Sequence, residues 1–170
     1  MAMPEPDGAV LARRDEIIDA LRRALDPGDV ISDGYELRAY ECDGLTAYRC
    51  APLAVVLPRD TAQVSAAMAV CHRMGVPVVP RGAGTSLSGG SLPTADSVVL
   101  GTARLRDVLE IDYANRFIRV QTGVTNLSVT GAVEADGFFY APDPSSQLAC
   151  AIAGNIAMNS GGAHCLKYGV

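Results

Sequence analysis

Tryptophan is absent from the 170 residues, and aromatic side chains make up only 5% of them. A cage or belt assembled from aromatic rings is therefore not expected. Cations are also scarce: 14 Lys and Arg stand against 19 Asp and Glu, a formal net charge of −5. A nucleic-acid surface needs a clustered basic face. The arginines at Arg13, Arg14, Arg22 and Arg23 are instead interleaved with acids in a helical stretch. They read as a solvated helix face, and no nucleic-acid partner is expected. No apolar run approaches the roughly 20 residues a membrane-spanning helix needs. The five cysteines, Cys42, Cys50, Cys71, Cys150 and Cys165, form no C-x-x-C pair, so neither a zinc knuckle nor an iron–sulfur site is spelled. The two histidines, His72 and His164, each stand beside a cysteine. Adjacent side chains in a helix or strand do not converge on one ion, so no metal site is expected. The opening residues spell no secretory signal, which makes reduced thiols and a cytoplasmic location the expectation.

What is present is a globular composition, with 49% hydrophobic and 19% charged residues, in a length suited to one domain or two small lobes. Residues 11–25 carry Ile17, Ile18, Leu21 and Leu25 at helical spacing, and Asp26-Pro27-Gly28 ends that helix. Residues 31–52 read as a mostly irregular arm. Residues 54–57 form a short buried-type strand. Asp60 or Thr61 then caps a helix with an inner face of Val64, Ala67, Met68 and Cys71, closed by Gly75. Strands are expected at 76–79 and 97–100, the first completing a compact parallel βαβ unit. Further along, 108–112 and 117–121 read as a hairpin. Thr125 caps a helix through Leu127, Val129, Val133 and Ala135, residues 138–140 form a brief strand, and 152–159 a short helix. The expected organisation is an arm (residues 1–52), a small parallel lobe (53–103) and the opening of an α+β lobe (104–170). That last lobe stops without a closing element, so a truncation is expected.

The chemistry is concentrated in two clusters of small residues. The first, Pro80-Arg81-Gly82-Ala83-Gly84-Thr85-Ser86-Leu87-Ser88-Gly89-Gly90, directly follows a strand. Glycines give access to positive φ and let a ligand approach main-chain N–H groups, and a run of such groups forms a nest for an anion such as a diphosphate. Two familiar phosphate loops are excluded. A Walker loop needs Lys after its last glycine, and the dinucleotide fingerprint needs Gly where Leu87 stands. On residues alone, the competing reading is a surface loop of small residues. Its exit from a buried strand favours a ligand, because the carboxyl edge of a sheet is where such folds hold one. The second cluster is Pro142-Asp143-Pro144-Ser145-Ser146, followed by Ala149, Cys150 and Ala151-Ile152-Ala153-Gly154-Asn155-Ile156. It reads either as a helix start offering free N–H groups or as a proline-rich turn leading into a helix.

Taken together, residues 78–85, 140–147, Gly154-Asn155-Ile156 and Asn159-Ser160-Gly161-Gly162 resemble the FAD-linked oxidases of the vanillyl-alcohol-oxidase type. Within that family, Tyr40-Glu41-Cys42-Asp43-Gly44-Leu45 and His164-Cys165-Leu166-Lys167-Tyr168-Gly169 resemble the D subunits of bacterial glycolate oxidases. The resemblance implies an α+β fold of the PCMH (p-cresol methylhydroxylase) FAD-binding type. It implies that Arg81, Gly82, Ala83, Gly84, Thr85 and Ser86 cradle the FAD diphosphate, with Pro80 and Gly90 as further cofactor-binding residues. Pro142, Asp143, Ser145, Ser146, Ala149, Cys150, Gly154, Asn155 and Ile156, with Asn159 and Ser160, would line the flavin and ribityl region. Relatives that bond the flavin covalently from this loop carry His where Thr85 stands, so the FAD here is expected to be non-covalent. One departure is Ala151-Ile152-Ala153-Gly154-Asn155, where the family has a hydroxyl residue followed by Ile-Gly-Gly-Asn. A lost side-chain hydrogen bond there is worth about 0.5–1.5 kcal/mol.

The reaction implied is oxidation of a small 2-hydroxy acid, glycolate or D-lactate, to the 2-oxo acid, the α-hydrogen leaving as hydride. Flavin-type and iron–sulfur partner subunits would receive the electrons and give a route to the inner face of the membrane. The substrate-binding arginine and the metal and proton-handling histidines of such enzymes belong to a cap domain. No residue of this chain matches them, so no catalytic or metal residue is assigned and the segment alone is expected to be inactive. One alternative is a non-catalytic module that binds flavin or a partner subunit; another is a related flavoenzyme acting on a different substrate, such as 2-hydroxyglutarate or an aryl alcohol.

Overall fold

The computed structural model describes residues 3–168. The chain divides into two units, Met1–Thr102 and Ala103–Val170.

In the first unit the expected opening helix is two helices. α1 (Gly8–Leu11) is capped by Asp7, whose carboxylate accepts from the Ala9 N–H at 2.7 Å, and α2 spans Arg14–Ala24. The break falls at Arg13, whose φ and ψ of −102° and 17° leave the helical region. Its guanidinium donates to the Ala9 and Met74 carbonyls. α2 places Asp15 and Glu16 in its first turn and Arg22 and Arg23 in its last, the order that favours the helix dipole.

The sheet of this unit is built from β1 (Val30–Ile31), β2 (Ala54–Val56), β3 (Val78–Arg81) and β4 (Val98–Gly101), in the order β1-β2-β4-β3. β4 is parallel to both β2 and β3, so the βαβ crossover steps over a central strand instead of joining neighbours. β3 runs two residues later than expected. Being an edge strand, it accepts Pro80, which has no N–H to give to a further strand. The arm is more ordered than expected: β1 pairs antiparallel with β2 through Val30–Val56 and Ile31–Val55, and α3 (Gly34–Leu37) is capped by Asp33. A two-residue strand is too short to leave a period in the sequence.

Residues of α2 and of α4 (Thr61–Met74) fill the core on one face of this sheet together with Ala54, Val56, Val98 and Leu100. Leu37, Ile31 and Tyr40 pack on the other, against Val55, Val99 and Val79. Of the two expected candidates it is Asp60 that caps α4, and, as expected, Gly75 closes it in the left-handed region, with φ of 67°. The buried stripe of α4 is Ala67, Val70 and Cys71, set at i, i+3 and i+4 from Ala67; Met68 falls to the side of that stripe and is 44% exposed. Burial pushes the Cys71 thiol up to about 11. Asp29, wholly buried, receives a two-pronged ion pair from Arg59 at 2.9 and 3.0 Å.

In the second unit, β5 (Val108–Asp112) and β6 (Phe117–Val120) form the expected hairpin. Asp112 accepts from Asn115 across its turn, and Glu110 pairs with Arg119 across the strands. α5 (Asn126–Gly131) is capped by Thr125 but ends earlier than expected, and a tighter 3-10 turn follows at Glu134–Asp136. Val129 and Val133 are buried, whereas Leu127 and Ala135 are exposed. The strand expected at 138–140 does not form: the Phe138 and Tyr140 N–H groups donate to the Val133 carbonyl and the Thr130 hydroxyl instead of a ladder. α6 spans Ile152–Ala157, ending short of Asn159, whose φ is 52°, and α7 is Cys165–Tyr168. A mixed sheet with helices in one unit and an antiparallel hairpin with helices in the other make the chain α+β. Among the described residues no helix is long and apolar enough to cross a membrane.

One anchor of the first unit is titratable. The buried Asp96 carboxylate accepts from the Asp7 N–H at 2.8 Å. Burial alone raises its pKa, but hydrogen bonds from the Asp7 backbone, the Thr94 side chain and its own backbone outweigh this and leave it below the usual carboxylate value. A carboxylate depressed in the fold stabilises at pH above its unfolded value, about 3.9. That contribution is lost as pH falls through the lower folded value. Asp96→Asn is therefore expected to melt below wild type at neutral pH, with the gap closing on acidification. Melting curves across pH check this, and a gap independent of pH contradicts it.

Candidate functional site

β3 ends at Arg81, and the chain turns immediately into the glycine-rich loop. Among the described residues, no backbone N–H from Gly82 to Leu87 finds a protein acceptor. Six consecutive donors without an internal partner are unusual, since more than about 90% of buried main-chain groups in proteins are paired. Here they are tolerable because Ala83, Thr85 and Leu87 are exposed and Gly82, Gly84 and Ser86 half-buried. Gly84 turns the chain at φ of 73°. Further along, the loop is self-bonded: the Ser86 hydroxyl accepts from the Ser88 and Gly90 N–H groups at 3.2 and 3.4 Å. Gly90, expected among the ligands, thus turns its N–H toward the loop. Arg81 donates to the Cys42 carbonyl at 2.7 Å, and its guanidinium lies 5.6 Å from the centre of the Tyr40 ring. Pro80 is exposed on the edge strand.

In the second unit the expected residues meet in a buried amide network. Asn155, 5% exposed, donates its side-chain NH2 to the Asn126 carbonyl oxygen at 3.0 Å, and Asn126, 1% exposed, donates to the Pro142 carbonyl at 2.9 Å. Asn126 thereby ties α5, α6 and the proline loop together. It was not singled out from the sequence, where its only signal is its place directly after the Thr125 cap. Asp143 accepts from the His164 backbone N–H at 3.2 Å and meets the His164 ring Nδ1 at 2.7 Å. Gly162 fits here because its φ of 149° disfavours other residues and a Cβ would collide with Asp143. Cys150 and Ala151 are buried, Ala151 in an antiparallel bridge with Thr125.

That bridge changes the expected character of the α6 start. The Ile152 and Ala153 N–H groups donate to the Val124 and Thr122 carbonyls, at 2.8 and 3.4 Å, and are not free for an anion. Ser145, Ala149, Gly154, Ile156 and Asn159 are exposed, while Ser146 and Ser160 are half-buried. Ser160 donates its N–H to the Asn155 carbonyl. Burial raises the Tyr140 phenol above its ordinary value.

Against this geometry, the family model of an FAD binding domain matches residues 52–170. The chain belongs to that family. Its cofactor is FAD, and the unpaired amides from Gly82 to Leu87 are donors of the kind a diphosphate accepts from. This FAD-binding chain is 50% identical over 169 residues to the glycolate oxidase subunit GlcD of Escherichia coli, covering 99% of the chain and 33% of the relative. It is 38% identical over 139 residues to a D-lactate dehydrogenase of Archaeoglobus fulgidus, covering 81% and 30%. The chain thus spans about a third of the length of these relatives. The solved structure of an alkyldihydroxyacetonephosphate synthase shares the fold, with a TM-score of 0.83 at 20% identity, covering 99% of this chain and 32% of that one.

The amide network predicts its own sensitivity. Asn126→Ala leaves the Asn155 NH2 and the Pro142 carbonyl without their partner, and an unsatisfied buried polar group costs about 1–3 kcal/mol. Denaturant unfolding is expected to show a loss in that range. A change within about 0.5 kcal/mol, typical of a surface site, contradicts the network.

Proposed function

We propose that this chain is the FAD-binding portion of a dehydrogenase that oxidises a small 2-hydroxy acid, glycolate or D-lactate, to the 2-oxo acid. The observation that carries the reading is the row of unpartnered N–H groups from Gly82 to Leu87. The names of the two relatives supply the substrate class.

In this reading Gly82, Ala83, Gly84, Thr85 and Ser86 hold the diphosphate, with Pro80 and Arg81 at the end of β3 delivering the loop. Pro142, Asp143, Ser145, Ser146, Ala149, Gly154, Ile156, Asn159 and Ser160 are the flavin-facing set of the second unit. Cys150 and Asn155 support that set from the interior, being buried. Bound FAD supplies the two-electron acceptor. The chain's residues bind and orient it, and Thr85 offers no imidazole for a histidyl bond, so the association is non-covalent. Residues 1–52 act as an arm, 53–103 as the first FAD-binding lobe and 104–170 as the start of the second. The groups that hold substrate belong to the part of the relatives that this chain does not span. Partner subunits of flavin and iron–sulfur type take the electrons onward in a cytoplasmic complex at the inner face of the membrane.

Titrating the chain with FAD and with riboflavin, which lacks the diphosphate, tests the reading. FAD is expected to bind at least about tenfold more tightly, a difference of about 1.4 kcal/mol, and acid precipitation should release all of it. Equal affinities, or flavin retained in the precipitate, contradict it.

A further inference from the structure

We propose that residues 40–45 form a clasp that sets the direction of the loop's N–H donors, with Gly44 and Arg81 as positioning residues. This rests on reading the loop as the FAD-diphosphate site.

A trans peptide is planar, and its C=O and N–H point in opposite directions. Fixing the Thr85 and Ser86 carbonyls therefore aims the Ser86 and Leu87 N–H groups. Both carbonyls face the clasp. The Ser86 carbonyl accepts from the Leu45 N–H at 3.1 Å, and a Cβ built on Gly44 would lie 2.8 Å from the Ser86 oxygen and 2.9 Å from the Thr85 oxygen. Such distances are too short for any side chain, so only glycine lets the two segments meet. Asp43, 5% exposed, holds the turn from beneath by accepting from the same Leu45 N–H at 2.9 Å.

Arg81 closes the other end. Its Nη1 bond to the Cys42 carbonyl and its approach to the Tyr40 ring turn the guanidinium toward the clasp. The same group fills the space where a Cβ on Gly84 would lie. The loop is thus wrapped around its own arginine, a planar group that both stacks and donates, which a lysine ammonium cannot reproduce. Arg81 is then a strut in the loop and not the charge that binds the anion.

The test measures FAD affinity of the full chain by quenching of flavin fluorescence for wild type, Gly44→Ala, Arg81→Lys and Arg81→Met. Gly44→Ala adds no charge and no hydrogen-bonding group, yet it is expected to weaken FAD at least about tenfold. Arg81→Lys is expected to weaken it as much as Arg81→Met does, because retained charge does not restore the strut. Variant affinities matching that of wild type overturn the clasp alone and leave the functional reading intact. Rescue by lysine overturns the strut and makes Arg81 a charge ligand. Failure of the wild-type chain to bind FAD overturns the functional reading, and the clasp with it.

Discussion

Backbone N–H groups seek acceptors, and a fold that leaves a consecutive row of them unpaired must pin that row by other means. In this chain the row runs from Gly82 to Leu87, at the end of β3. The central strand β4 pairs in parallel with β2 and β3 and fixes where β3 ends. The Thr102 N–H donates to the Arg81 carbonyl, so the ladder runs to the last residue before the loop. From there the Ser86 carbonyl is engaged by the Leu45 N–H, while the N–H groups from Gly82 to Leu87 are left without a protein acceptor. Donors held in place in this way need no rearrangement on meeting an acceptor and so keep more of their binding free energy.

The second unit uses the opposite device. Its main-chain groups near α6 are paired with the Thr122–Val124 segment, and its buried polar side chains are paired with one another. A buried amide network in a small core helps to specify one arrangement of the segments it joins. What it presents outward near α6 includes the small Gly154 and the apolar Ile156, both exposed. The two units thus offer different chemistry: hydrogen-bond donors from one, close-packed backbone and apolar contact from the other.

Much of this was legible in the sequence because it is written locally. Thr125 caps the helix expected of it, Asp60 proves to be the cap of the Asp60–Thr61 pair, and Gly75 closes α4. The glycines after β3 signal a backbone exposed to a ligand because glycine at positive φ has a direct steric cause. Illegible features depend on partners distant in the chain. β1 exists only through Val56 and Val55, and Asn126 matters only because Asn155 and Pro142 converge on it. Arg81 reaches the Cys42 carbonyl and the Tyr40 ring, partners that no local pattern announces. Phe138–Tyr140 has the composition of a strand, yet α5 and its end capture its N–H groups first.

The central claim is that the N–H groups between Gly82 and Leu87 grip the FAD diphosphate, and amide-resolved hydrogen exchange addresses it directly. Without ligand these amides should exchange quickly, having no protein acceptor to break from. Addition of FAD should slow them selectively, while the Ser88 and Gly90 amides, already bonded to Ser86, change little. Exchange in the Gly82–Leu87 row that stays fast at saturating FAD would contradict the account.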